Sequence, residues 1–174
     1  MSQLTKQDIL KLFDALNLRC KKHNFKGELH IVGGAVMCLV YSARESTFDV
    51  DGLFKPSKEL RNFAAEIGQE FGIDEDWLND GVKGFFSGAG TFQQFLELSH
   101  LKIYTASPEY LLAMKCLAMR IGEEFHDVAD IRYLIRYLNL ISYKEICNVI
   151  VQYYPLNKFP QKTMYALQEI MEEQ

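Results

Sequence analysis

The sequence has no Cys-x-x-Cys pair, no excess of basic charge and no long apolar run, and each absence removes a class of protein. Its four cysteines, Cys20, Cys38, Cys116 and Cys147, are scattered. Cys38 and Cys116 stand inside apolar runs, where a thiol acts as a small hydrophobe. A disulfide framework is therefore not expected. Cys20 and His23 lie three apart without a second ligand pair, which argues against zinc. Lysine and arginine total 19 against 23 acids, a net charge of -4 and a pI near 5.6. Nonspecific duplex binding draws on phosphate neutralisation, so such a chain is a poor general nucleic-acid binder. The longest apolar stretch, Ala35 to Tyr41, is far short of the ~20 residues that cross a bilayer. Met1 to Asp14 is polar and acidic, unlike a signal peptide. The expectation is a cytoplasmic protein with no membrane partner.

What remains is an ordinary core-forming composition. Hydrophobic residues make 48% of the 174, with twelve Phe and nine Tyr, and no repeat or low-complexity segment is visible. Disorder is thereby unfavoured, and one domain, or one with a small helical appendage, fits the length. Thr5 and Asp8 have capping-box spacing, and Ile9, Leu12, Phe13 and Leu16 follow with helical period to about Lys22. Glu28 to Val32 reads as a strand, Ala35 to Ala43 as an enclosed helix, and Thr47 to Phe54 as a second strand. Pro56 and Ser57 open a helix that Gly72 closes. Asn79-Asp80-Gly81 is a turn signal. Phe92 to Leu98 and Leu101 to Thr105 read as two strands joined at Ser99-His100. Ser107 and Pro108 start a helix to about Ile121. Asp127 to Leu138 is another, Ser142 and Glu145 cap a third ending near Tyr153, and Met164 to Met171 mark a last. The class is therefore α+β: a small mixed sheet flanked by helices, then a helical part. The predicted units are residues 1–107 and a C-terminal region 108–174 that shares the core.

One constellation carries chemistry. A strand runs into Gly33-Gly34, then a helix, then a strand bearing Asp49-Val50-Asp51. Glycines let backbone approach a triphosphate closely, and amides at a helix start favour its charge. Carboxylates at i and i+2 of a strand share a face, about 6–7 Å apart, a spacing that reaches two divalent ions about 3.5–4 Å apart. Magnesium prefers carboxylates with phosphate oxygens and water. Gly-Gly alone is often just a strand-to-helix turn, and Asp-x-Asp alone is usually a solvated face. Their combination in this order is far more specific than either.

Ile31-Val32-Gly33-Gly34-Ala35 and the run from Arg44 to Asp51 resemble the DNA polymerase β-like nucleotidyltransferases, with a Gly34-to-Asp49 gap of fourteen residues that is slightly long. The nearest branch resembled is the abortive-infection AbiEii-type nucleotidyltransferases and related bacterial proteins. Trp77-Leu78-Asn79-Asp80, and Leu111 to Lys115 followed by Arg120, Asp127 and Asp130, are similar to further segments of that branch. The resemblance covers roughly residues 29–135. It implies that Gly33 and Gly34 contact the triphosphate and that Asp49 and Asp51 hold magnesium or manganese. Lys115 would neutralise phosphate charge, and Arg120, Asp127 and Asp130 would complete the nucleotide site. It implies transfer of a nucleoside monophosphate from a nucleoside triphosphate to an RNA end or a protein hydroxyl. It further implies the toxin role of a toxin–antitoxin pair, with an antitoxin protein as partner.

Bland readings stand beside these. Lys115 can be a helix-surface lysine, although its apolar surroundings require a partner for a buried cation. Asp127 and Asp130 can be a polar helix face favoured by the dipole. Arg44 and Thr47 can simply shape the loop. His126 stands where the relatives often have lysine and reads best as a surface histidine. The superfamily usually has a third carboxylate on a later strand, able to activate the attacking hydroxyl. Glu97 is the candidate, with Asp80 second; strand parity predicts that Glu97 reaches a metal shared with Asp49 and Asp51. Without it, the alternative is a nucleotide- or partner-binding module with weak or no turnover.

Overall fold

The first helix starts as its cap residues require. Asp8 N donates to the Thr5 hydroxyl at 3.3 Å, and Thr5 N donates back to the Asp8 carboxylate at 2.9 Å. That reciprocal box satisfies two otherwise orphaned amides and holds the Asp8 carboxyl below its usual range, chiefly through the Thr5 hydroxyl. The structure, a computed structural model, describes residues 2–122 and 124–174. It forms two compact units, Met1–Gly84 with Phe92–Ala106 and Phe85–Thr91 with Ser107–Gln174. The change of unit after residue 106 lies where the sequence changes character. The segment 85–91, assigned from the sequence to the first part, belongs to the second.

The first unit contains β1 (Leu4–Thr5), α1 (Lys6–Lys22), β2 (Gly27–Val32), α2 (Gly34–Leu39), β3 (Ser46–Thr47), β4 (Val50–Lys55), α3 (Ser57–Phe71), β5 (Leu78–Asn79), β6 (Phe92–Glu97) and β7 (Leu101–Ala106). Five strands make a mixed sheet in the order β5-β4-β2-β7-β6. β2 runs antiparallel to β4 and parallel to β7, β4 runs parallel to β5, and β6 antiparallel to β7. Alternation sorts the faces. Leu29, Ile31, Val50, Phe54, Leu101 and Ile103 are buried, as are Leu12, Phe13 and Leu16 of α1 and Leu60, Ala64 and Ile67 of α3. Trp77 is 1% exposed, and its indole donates to the Ala64 carbonyl at 2.8 Å. Arg19 of α1 bridges Glu66 and Glu70 of α3. The opposite face carries Glu28, His30, Asp51, Lys55, Lys102 and Tyr104, all partly or fully exposed. There His30 stacks on Tyr104 with centroids 4.9 Å apart and meets the edge of Phe92 at 4.8 Å.

Two expected elements differ. The strand over Thr47–Phe54 is broken, because its ends serve different sheets: Thr47 pairs with Leu4 of β1, whereas β4 pairs with β2 and β5. Phe48 and Asp49 form the bend between them, closed by the Thr47 hydroxyl donating to the Asp49 carbonyl at 3.3 Å. The helix expected over Ala35–Ala43 stops at Leu39, and Ser42 takes a left-handed φ of 51°. Periodicity could not separate a short buried helix from the apolar loop that continues it.

The second unit holds α4 (Pro108–Leu117), α5 (Asp127–Tyr137), α6 (Tyr143–Ile150) and α7 (Gln161–Glu172). Ser107 caps α4 by accepting from Tyr110 N at 3.3 Å, with Pro108 in the first turn. Tyr110, Leu111, Ile131, Leu134, Ile146, Ile150, Leu167 and Ile170 are buried. The segment 85–91 is fastened here: Ser87 N donates to the Tyr110 hydroxyl at 2.9 Å, the Ser87 hydroxyl to the Tyr153 carbonyl at 2.6 Å, and the Tyr154 hydroxyl to the Phe85 carbonyl. α4 ends at Leu117, four residues before the expected Ile121, which leaves Arg120 beyond the helix. No helix among the described residues is long and apolar enough to cross a membrane.

Candidate functional site

β2 ends at Val32, and the next residue turns the chain. Gly33 has φ 73° and ψ -152°, a region that other residues enter only under strain. A Cβ on Gly33 would stand 3.0 Å from Asp51 Oδ2. A Cβ on Gly34 would stand 2.8 Å from Arg44 Nη1 and 3.0 Å from Thr47 Oγ1. The two glycines are thus needed by the molecule itself: three side chains from β3, β4 and the connection before them close on this turn. α2 behind it has six residues, too few for a sizeable macrodipole. The Arg44 guanidinium brings positive charge to the turn.

The sheet register completes the constellation. Asp51 lies opposite Val32 on β2 and opposite Asn79 on β5. Asp49 sits in the bend just before β4, and Asn79 Nδ2 donates to its Oδ2 at 3.2 Å. Asp49, Asp51 and Arg44 are all half-buried. The structure therefore brings Asp51 to Gly33, brings Arg44 and Thr47 to Gly34, and ties Asp49 to Asn79, the β5 neighbour of Asp51; Asp49 lies before β4 and so does not share a strand face with Asp51 as expected. The sequence alone offers Arg44 and Thr47 as loop shapers and Asn79 as part of a turn and of the Trp77–Asp80 segment similar to the nucleotidyltransferase branch. A signal was present for Arg44: a cation five residues before Asp49 in a polar link between two buried elements. For Asn79 the segment resemblance gives no role, because its partner depends on a two-residue strand.

Glu97 does not join them, which corrects the expectation of a shared metal. Lys55, Glu28, Lys102 and Glu97 form one row across four strands. Parity puts Glu97 on the Asp51 face, yet three strand spacings away and four residues along, roughly 20 Å. Its carboxylate pairs with Lys102 at 3.2 Å and accepts from Gln94 Nε2 at 3.2 Å. Asp80, the second candidate, pairs with Arg61 at 2.6 Å and with Lys83, and these cations, Lys83 first, hold its carboxyl below the usual range. Among the described residues no three His, Cys, Asp or Glu side chains converge as a metal site.

Lys115, Arg120, Asp127 and Asp130 come together within the second unit. Lys115 Nζ lies 2.6 Å from Asp130 Oδ2 and 3.9 Å from Asp127 Oδ1, with the lysine side chain 7% exposed. Asp127 Oδ2 accepts from Arg120 N at 3.1 Å and from its Nε at 2.9 Å. The Arg120 guanidinium also covers the Phe125 ring at 4.5 Å. Lys115 is thus not a surface lysine; α5 supplies the partner that its burial requires. His126 is exposed at the start of α5, as the bland reading has it. Burial raises the thiols of Cys20, to about 11, and of Cys38 and Cys116, so none is a reactive thiolate.

No family model matches the sequence, and neither a curated protein nor a solved structure matches the chain.

Proposed function

We propose that the first unit binds a nucleoside triphosphate together with a divalent ion at the Gly33–Gly34 turn, and that it transfers the nucleotidyl group to a hydroxyl of an RNA end or a protein. One observation carries this reading: Asp51 and Arg44 both close on a glycine turn, within 3.0 Å of where Cβ atoms would stand, and Asp49 lies in the bend that leads into the Asp51 strand. A carboxylate and an arginine against bare backbone, with a second aspartate in the adjoining bend, suit a metal-bound polyphosphate. Asp49 and Asp51 would hold the ion, hard oxygen donors being what magnesium and manganese prefer. When bound, it would supply charge neutralisation at the phosphates. Arg44 would take a phosphate through its planar fork. In the reaction the acceptor oxygen attacks the α-phosphorus in line, the bond to the β-bridging oxygen breaks, and pyrophosphate leaves as the hydroxyl proton passes to solvent base.

A second reading has its own support. With Glu97 tied to Lys102 and Asn79 opposite Asp51, no third carboxylate among the described residues is placed at the pair to take the acceptor proton, which favours nucleotide binding with little turnover. Incubation with each labelled ribonucleoside triphosphate, magnesium, total RNA and cell-extract protein separates the two. Labelled product and pyrophosphate, lost in D49A/D51A, support transfer. Metal-dependent binding without pyrophosphate supports the binding module.

A further inference from the structure

Asn79 is an amide where the sheet offers the place for a further acid. It lies opposite Asp51 in register, and parity puts both on one face. Its orientation follows from its bonds. Asn79 Oδ1 accepts from Gly81 N at 3.1 Å, so Nδ2 faces Asp49 Oδ2 at 3.2 Å and the Asp76 carbonyl at 3.5 Å. An amide NH2 donates and cannot ligate a cation. The next residue, Asp80, gives its carboxylate to Arg61 and Lys83.

We propose that Asn79 is a positioning residue of the Asp49–Asp51 site: it holds Asp49 by one carboxylate oxygen and keeps the site at two carboxylates, so that the site takes a divalent ion carried by a nucleoside triphosphate and takes the free ion poorly. This rests on the nucleotide reading above. Magnesium and manganese want near-octahedral oxygen coordination. Two aspartates leave most positions to other ligands, and the phosphates of an incoming nucleotide supply them. A third carboxylate would let the protein compete for the free ion, but without metal it would set a negative charge about one hydrogen-bond length from Asp49. The amide avoids that repulsion and pre-orients Asp49 through an outer contact of the kind that tunes metal affinity.

The test is manganese titration followed by electron paramagnetic resonance on the whole chain. Mn2+ is added alone and then with ATP, CTP, GTP or UTP, using wild type, N79S and N79D with thermal midpoints recorded. N79S keeps an acceptor for Gly81 N but cannot reach Asp49. It should weaken Mn2+–triphosphate binding about tenfold or more at an unchanged midpoint, and N79D should tighten free Mn2+ about tenfold. Wild-type binding in N79S overturns the positioning role, whether or not N79D folds. A folded N79D with no gain for free Mn2+ overturns the account of charge. A wild-type chain that binds none of the four complexes refutes the nucleotide reading, and this inference with it.

Discussion

Around Lys115 in the second unit, two cations meet two carboxylates, and Lys115, Asp127 and Asp130 are buried. Around Gly33 and Gly34 in the first, the Asp51 carboxylate and the Arg44 guanidinium close on bare backbone, and both are half-buried, as is Asp49 in the adjoining bend. The first arrangement is neutral and closed by its own partners. The second gathers Asp49, Asp51 and Arg44 at a place that water reaches. The difference separates charge that holds a fold from charge that can receive a ligand. A buried pair has its desolvation offset internally, whereas half-exposed carboxylates remain within reach of a cation from solution.

The largest effect should come from opening the closed cluster. Replacing Lys115 by Met leaves Asp130 buried without its cation, a change that costs about 3–5 kcal/mol. Urea unfolding should show that loss in the midpoint. Intact stability with lost nucleotide binding would instead break the comparison and place Lys115 among the ligand-binding residues. Gly33→Ala comes next. The left-handed backbone and the Asp51 carboxylate both oppose a Cβ, so about 1–3 kcal/mol of strain is expected. Loss of metal-dependent nucleotide binding should accompany it, read by calorimetry. A fully stable, fully binding G33A would mean that the turn relaxes freely and the crowding is not a constraint.

The smallest effect is a pH dependence on the open sheet face. Burial lowers the His30 pKa, Lys55 adds to that and Glu28 opposes it. The unfolded chain then takes up the proton more readily than the folded one. Stability from this group is complete above the ordinary histidine value of 6.5 and declines as pH falls through the lowered one. His30→Gln should flatten that part of the stability profile between neutral and mildly acid pH. An unchanged slope would show that His30 does not contribute.

Where local chemistry decides, the sequence was a sufficient guide. Thr5 with Asp8, Ser107 with Pro108, and Ser142 with Glu145 each mark a helix start by contacts within three residues, and the helices begin there. The turn at Gly33 was legible because a Gly-Gly pair directly after a strand has a recognisable spacing. What stayed hidden depends on pairing across the chain. Thr47 and Val50 join different sheets, so a continuous period-two pattern concealed a bend at Asp49. Glu97 has the right parity but the wrong row, and rows are set by register rather than by alternation. Asn79 meets Asp49 thirty residues away through a two-residue strand. Lys115 finds its acids on the following helix, a contact that no spacing within one helix can announce.

The central claim is that Asp49 and Asp51 at the Gly33–Gly34 turn hold a metal-bound nucleotide. Isothermal calorimetry of wild type and D49A/D51A with each ribonucleoside triphosphate, in magnesium and in EDTA, tests it directly. The wild type should bind at least one triphosphate in magnesium and lose it in EDTA, and D49A/D51A should bind at least about a hundredfold more weakly at an unchanged thermal midpoint. Equal binding by a folded D49A/D51A, or binding indifferent to EDTA, would contradict it.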